Sequence, residues 1–448
     1  MKNLNEFQHK AERLVKYQIE LLNKEEISLY QVEKNILDFI NKLGSFMESL
    51  ILNKIKEPTI ENRILINGKK SIYKGNSKLS FKDRFGQKQT ISRRAYKSES
   101  RPGYVYPLDH KIGIANCKNH SPLLSYLICS YAANEPYGFG SMLLSESLGI
   151  KISSTAMQNN SERIGSLLPD NPLDFVPFEK QSEKSDLMIV EMDGTMSPQI
   201  PTVEGLTGHE SLKAPTEYKE CNVLTVEKYT DGEKTDRWVG ADYGKRVDFK
   251  EYLRKTTMKM GLLKAKELVF VADGARHNWE MCKSYLPGAV EVLDFYHAIE
   301  HLSQFCDLFK DSEKGKRQFK IWRSMIREGN IFQVLDEMKK SLFITRNTDE
   351  AQKEINYLNN NKHRMAYDEY KEKGFPIGSG LIEGQCKLVV NKRFKRNGMR
   401  WKIHDNRSIL KLRISFLNSI LERYFQPKTI KLDFWEEDSS VMSRGVAC

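Results

Sequence analysis

Two apolar runs, 187–190 (Leu-Met-Ile-Val) and 267–272 (Glu-Leu-Val-Phe-Val-Ala), lead into the same dipeptide, Asp193-Gly194 in one case and Asp273-Gly274 in the other. A short unbroken apolar run bounded by turn residues is the pattern of a strand buried on both faces. Such strands need helices over both sides of their sheet, so this part of the chain is constrained to an α/β layered fold. A third run, 290–293 (Val-Glu-Val-Leu), ends at Asp294. Two further strand candidates, 221–230 and 237–240, and a helical stretch at 248–263 lie between the first two runs. Residues 298–372 read as charged helices, and 381–396 and 406–424 as helices that close the domain.

The whole chain, at 448 residues, exceeds one ordinary core, and about two to four domains are expected. Residues 1–57 read as helical, with Val32, Ile36, Phe39, Leu43, Phe46 and Leu50 on one stripe. That stripe suits packing against the next domain, or a dimerisation helix. Residues 58–115 read as a small β-rich basic module, in which Ile64, Ile66, Ile72, Tyr73 and Phe81 sit among Gly, Asn, Lys and Ser, with Arg93, Arg94, Lys97 and Arg101 close together. Residues 116–168 return to helix: Ser121-Pro122 starts one, 137–148 forms a second, Gly149 breaks it, and Ser153 caps a third. Helix, glycine turn, helix is the shape of a helix-turn-helix, which would make this a DNA-binding region; a plain helical bundle has the same pattern. Residues 169–186 read as a linker, 187–297 as the first part of the α/β core, and 298–372 as an all-α insertion. Residues 373–425 complete the core, and 426–448 read as a C-terminal tail.

Lys and Arg number 71 against 59 Asp and Glu, a net charge of +12 that suits a polyanionic partner. Seven scattered cysteines imply no disulfide framework and a reducing compartment. The charged stretch 1–10 lacks the apolar segment of a secretory signal, and no run reaches the roughly 20 apolar residues that span a bilayer. A soluble, cytoplasmic protein with no membrane partner is expected.

Asp-Gly alone is an ordinary turn dipeptide. Two copies after buried strands are more pointed, because carboxylates at neighbouring strand tips can share a divalent ion. Glu383 supplies a third carboxylate. Pro376 and the glycines at 378 and 380 interrupt the preceding helix, so Glu383 falls in the first turn of a new one, with Lys387 one turn on. A helix-start Glu also arises from the dipole alone. Beyond it come Lys392, Arg393, Lys395, Arg396, Arg400, Lys402, Arg407, Lys411 and Arg413, with Phe394 and Trp401 interleaved. Spread charges commonly mark a solvated face; their density here, the aromatics and the nearby acids favour a groove for the DNA backbone, with Trp401 part of it. Oxygen-only ligands select Mg²⁺ or Mn²⁺, and two such ions about 3.5–4 Å apart can activate the attacking oxygen and stabilise the leaving one in phosphodiester cleavage. Cys117 and His120 have zinc-ligand spacing but no second pair close by, and zinc is not expected.

Taken in order, strand–Asp193-Gly, strand–Asp273-Gly-Ala, Asp294-Phe-Tyr-His297, Gly378-Ser-Gly-Leu-Ile-Glu383 and Gly398-Met-Arg-Trp401 resemble the DDE transposases of bacterial insertion sequences, specifically the ISKra type of the Mutator-like branch. The matching motifs cover roughly 190–415, about half the chain. The resemblance implies an RNase H-like catalytic domain interrupted by the 298–372 insertion. It implies Asp193, Asp273 and Glu383 as catalytic and metal-binding residues of a Mg²⁺-dependent polynucleotidyl transferase. Asp294 and His297 match the acid-or-cysteine, two residues, histidine motif of that branch and take supporting roles with Lys387; a core-facing histidine is the alternative. Trp322 suits the core of the insertion, or stacking on a base at a distorted DNA end. Double-stranded DNA, as element ends and as target, becomes the partner, with a homodimer or higher multimer associated with the bacterial nucleoid. One departure is that relatives carry paired cysteines before Pro107-Leu108-Asp109, where this chain has none. Three other readings compete: an RNase H-like nuclease or resolvase without strand transfer, a catalytically silent DNA-binding protein, and a two-carboxylate glycosidase, which leaves the basic residues without purpose.

Overall fold

The structure is a computed structural model and describes residues 2–98, 102–176, 184–201, 208–244, 249–396, 398–426 and 430–434. Arg101, the 177–183 part of the expected linker, Asp248, and the expected tail at 427–429 and 435–448 lie outside the described residues. The chain divides into two compact units, Met1–Ile164 with Leu421–Cys448, and Gly165–Ile420.

In the first unit, helices Lys2–Asn23 and Leu29–Leu52 come first, and Ser28 caps the second by accepting from Gln31 N. Phe39 and Phe46 of the expected stripe pack on Phe7, with ring centroids 6.3 and 4.7 Å apart. Strands β1 (Arg63–Ile66), β2 (Lys69–Lys82), β3 (Lys88–Ser98) and β4 (Tyr104–Val105) form an antiparallel sheet. Asn67 and Gly68, both at positive φ, make the two-residue turn that joins β1 to β2. On the other side of β1 lies Leu432–Phe434, with Ile64 opposite Phe434, so part of the stretch read as tail is an edge strand. Helices Pro122–Asn134, Tyr137–Leu148 and Ser154–Leu167 share a core of Leu124, Ile128, Leu144, Ile150 and Met157. Ser121 and Ser153 cap the first and third, and Gly149 ends the second at φ +67°.

The second unit is built on a mixed sheet of β5 (Ser185–Gln199), β6 (Glu217–Thr230), β7 (Glu233–Tyr243), β8 (Ala265–Ala272) and β9 (Val290–Leu293), in the order β7-β6-β5-β8-β9. The first three are antiparallel and the last two run parallel to β5. Val190, Val269, Phe270, Val271 and Val292 are fully buried, as expected of strands covered on both faces. One boundary is corrected. The sequence pattern stops the first strand at Asp193, whereas β5 runs on to Gln199. Its antiparallel neighbour stays paired as far as Gln199 opposite Glu217, while its parallel neighbour stops at Ala272 and its pairing at Glu191 opposite Val271.

Helices Phe295–Asp307, Ser312–Arg327, Ile331–Lys340, Thr348–Asn361 and Tyr367–Glu372 follow β9. Trp322 belongs to their core: it is buried against Phe305 and Phe309, and its Nε1 donates to Glu337 Oε2 at 2.7 Å. The helix Gly380–Cys386 then passes through one π-helical turn, Lys387–Asn391, into Lys392–Phe394, and Ile403–Leu417 follows. The result is a mixed α/β protein with two sheets and many helices, none of which, among the described residues, is long and apolar enough to cross a membrane.

Candidate acidic site on the mixed sheet

Side chains alternate along a strand, so Glu191, Asp193 and Thr195 share one face of β5. The helix that carries Glu383 lies along that face. Ile382 N donates to Glu191 Oε2 at 2.9 Å, Cys386 Sγ lies 3.7 Å from Asp193 Oδ2, and Asn391 and Lys395 reach Thr195 Oγ1 at 3.5 and 2.6 Å. Along the helix these contacts step by four, five and four residues, while along the strand they step by two, two and none, Asn391 and Lys395 both meeting Thr195. The five-residue step contains the π turn, which keeps helix and strand in register.

Asp273 is the first residue past β8, two beyond Val271 as Asp193 is two beyond Glu191. The parallel pairing therefore brings these two acids to the same level of adjacent strands. Asn278 Nδ2 and Ala275 N hold Asp273 Oδ1 at 2.6 and 3.1 Å. The close approach permitted by Gly274 is made by Tyr357, whose hydroxyl accepts from Gly274 N at 3.2 Å; a Cβ there would lie 2.3 Å from it. Glu383 is half-exposed, 3.7 Å from Lys387 Nζ, an exposed i,i+4 pair that contributes little.

Among the described residues no group of three His, Cys, Asp or Glu side chains gathers closely enough to hold a metal. The carboxylates turn onto donors of the chain instead: Asp193 onto Gly194 N and Cys386, Asp273 onto Asn278, Glu383 towards Lys387. The donor chemistry, oxygen from three carboxylates, fits a hard divalent cation.

Asp294 caps the helix Phe295–Asp307 and is fully buried. It accepts from Tyr296 N at 2.9 Å, from Ser379 Oγ at 2.5 Å and from His297 Nδ1 at 2.7 Å. Phe295 N also donates to Ile377 O at 2.8 Å. The end of β9 is thereby strapped to the loop that enters the Glu383 helix. Burial pushes the Asp294 carboxyl up, but those hydrogen bonds outweigh it and hold it below its ordinary range. The bond to Asp294 raises His297 from 6.5 to about 9, against the effect of burial, with a contribution from the Asp273 charge. His297 is therefore an imidazolium at neutral pH. The stability this pair adds is complete below about pH 6.5 and fades as pH rises through about 9. An NMR titration should place His297 near pH 9, and His297→Gln should flatten the stability profile in that window; a midpoint near 6.5 would disprove the pairing.

Of the basic residues expected to line a DNA groove, Lys392 and Lys402 are exposed, and Lys395 and Arg396 are half-buried. Burial lowers Lys395, which bonds to Thr195 beside Asp193. Arg400 is tied to the carbonyls of Leu212 and Ala214. Arg393 and Trp401 are corrected: both are buried, the guanidinium 4.6 Å from the indole centroid and the indole edge-on to Phe394. Arg413 is buried as well, where its Nε donates to Val389 O at 2.8 Å and to Leu388 O at 3.1 Å. The guanidinium thereby ties the helix Ile403–Leu417 to the π turn. Sequence reasoning passed over Glu191, buried and raised to about 7 by desolvation and the nearby charges of Glu227 and Asp294. Its signal was available: it lies two residues before Asp193 in a strand. Cys386, Asn278 and Ser379 carried no comparable signal.

A family profile described as Uncharacterised protein family (UPF0236) matches residues 22–427. No curated protein matches the chain. Among solved structures, the Drosophila P element transposase strand transfer complex is similar at a TM-score of 0.39 and 11% identity, over 68% of this chain and 93% of that one.

Proposed function

The chain belongs to the uncharacterised protein family UPF0236, and from its own residues we propose that it is a DNA transposase of the DDE type, akin to the ISKra insertion sequences, that cuts element ends and joins them to target DNA. One observation carries the proposal: Asp193 and Asp273 each lie two residues beyond the last paired position of two adjacent parallel strands, and the helix bearing Glu383 is hydrogen-bonded to the face from which Asp193 projects. Three antiparallel strands followed by two parallel ones is also the order expected of an RNase H-like sheet, and the all-α segment between β9 and the Glu383 helix suits the insertion of such enzymes.

Asp193, Asp273 and Glu383 would hold Mg²⁺ or Mn²⁺, and two bound ions supply activation of the attacking water or 3′-hydroxyl and stabilisation of the leaving oxygen. The remaining residues do positioning and charge work. Asn278 fixes the Asp273 carboxylate. Asp294 and Ser379 fix the entry to the Glu383 helix, and His297 brings a positive charge near Asp273 that suits a phosphate. Lys392, Lys395, Lys402 and Arg407 offer contacts for the DNA backbone. The capped helices around Gly149 would read the element ends as a helix-turn-helix, with the enzyme acting as a dimer or higher multimer at the nucleoid.

The test is to incubate the protein and Mg²⁺ with a pre-nicked element end and a target plasmid. Joined products are expected. Nicking without joining would make the protein a nuclease or resolvase; tight binding without turnover would make it a DNA-binding protein.

A further inference from the structure

We propose a nucleotide-binding cleft beside Asp273, between the helices Arg276–Tyr285 and Thr348–Asn361, that takes one unpaired nucleotide of the DNA strand being processed. This inference rests on the DNA-processing reading above and deepens it. The cleft has a volume of about 440 Å³, and Arg276, Trp279, Lys283, Tyr357, Asn360 and Arg364 are among its walls. That lies in the range of about 300–1,000 Å³ typical of small-ligand sites.

Trp279 is the first sign of a ligand. It is 5% exposed, and its Nε1–H is buried without an acceptor. The ring is held fixed, edge-on to Phe270 at 6.0 Å and under the Arg364 guanidinium at 4.2 Å, so it is not placed to swing its N–H to water. Buried N–H groups in native proteins almost always find an acceptor, and this one belongs to a residue that lines the cleft.

The charges around the cleft have the matching sign. Arg276 and Lys283 lie two turns apart on one helix face, with Trp279 and Glu280 between them. Glu280 is taken up by Arg276 Nε at 2.8 Å, and Arg364 by Glu291 at 2.6 Å. Beyond these internal pairs the cleft presents the Lys283 ammonium, the other guanidinium N–H groups of Arg276 and the Asn360 amide, with the Trp279 N–H buried behind its wall. These are mostly donors, and they suit a ligand rich in acceptors and negatively charged. The aromatic walls, Trp279 and Tyr357, suit a sugar or base, which makes a nucleotide a better fit than a bare anion.

The cleft is also coupled to the acidic site. Tyr357 accepts from the backbone of Gly274 at 3.2 Å and stacks on His301 at 3.4 Å, while Asn278, next to Trp279, holds Asp273. One short segment, 273–279, therefore carries an acid at one end and a cleft wall at the other. A strand end splayed away from its partner beside Asp273 would have somewhere to place its unpaired nucleotide.

The test reads binding without catalysis. The full-length protein, in EDTA, is titrated by fluorescence anisotropy against a labelled duplex with a three-nucleotide single-stranded extension, and against the same duplex with blunt ends. Wild type should prefer the extended DNA by about tenfold, a gain of the size of base stacking in a protein groove. The double variant Arg276→Ala/Lys283→Ala, changed only at exposed positions, should abolish the preference and leave blunt-end binding within about twofold. Trp279→Phe, which trims the indole to a phenyl ring and removes the N–H, should weaken the extended DNA alone by about threefold. An unchanged preference in both variants overturns the cleft while leaving the transposase reading intact. Variant-sensitive binding of free dAMP with DNA binding unaltered would make the cleft a free-nucleotide site and likewise overturn the proposal. If wild type binds neither duplex, the DNA-processing reading itself falls, and the cleft with it.

Discussion

Exchanging Asp193 for asparagine, or Glu383 for glutamine, is expected to slow Mg²⁺-dependent nicking of DNA by about 1,000-fold or more, equivalent to several kcal/mol of lost transition-state stabilisation. DNA affinity should change by less than about threefold, because the phosphate contacts lie on lysines and arginines. Both exchanges preserve volume and remove only a negative charge. Neither side chain is fully buried, and asparagine at 193 can still accept from Cys386, so the fold should survive. Nicked-plasmid gels give the rate and anisotropy gives the affinity. A variant that nicks at the wild-type rate would remove that residue from the reaction, and two such variants would end the transposase reading.

Replacing Asp294 by alanine is expected to cost about 2–3 kcal/mol, the loss of several hydrogen bonds to a buried carboxylate, discounted because His297 is half-exposed and solvent takes up its charge. The carboxylate is wholly buried and serves three donors at once, so its loss strands the His297 imidazolium, the Ser379 hydroxyl and the Tyr296 amide. For a unit of this size that corresponds to a fall of roughly 5–10 °C in Tm. Thermal unfolding followed by circular dichroism measures it. The companion exchange Ser379→Ala removes one hydrogen bond and should cost only about 1 kcal/mol. A melting temperature for the Asp294 variant within about 2 °C of wild type would show that the strap contributes nothing to stability.

The parts of this molecule that sequence made legible are those where local chemistry and tertiary surroundings agree. Buried strands with β-branched and aromatic residues announced β5, β8 and β9, and the glycines around Ser379 announced the start of the Glu383 helix. Serines 121 and 153 announced the helices they cap. The failures share a physical cause: the deciding partner is brought in by tertiary folding, not by the local pattern. The extension of β5 past Asp193 depends on β6, and the strand Leu432–Phe434 depends on β1, more than 360 positions earlier. The basic stretch after residue 391 differs at Arg393 and Arg413 for a related reason: their partners, eight and about 25 positions away, meet them only once the chain folds back on itself. A guanidinium looks like a surface group until buried backbone carbonyls or an indole claim it, as the carbonyls of Leu388 and Val389 claim Arg413 and the Trp401 ring claims Arg393. The three candidate carboxylates could be nominated from sequence; which donors they face could not.

The wider turn at Lys387–Asn391 amounts to one surplus residue in a helix, and a residue in a regular helix advances the face by about 100°. Trimmed to an ordinary spiral, the segment could not keep Cys386 over Asp193 and Lys395 over Thr195 together; one end would have to swing a quarter-turn off the sheet. The extra residue therefore acts as a phasing device, letting a rod of one periodicity ride along a ribbon of another for the length of the site. Arg413, sealed into the interior, fastens the device by holding two of its carbonyls.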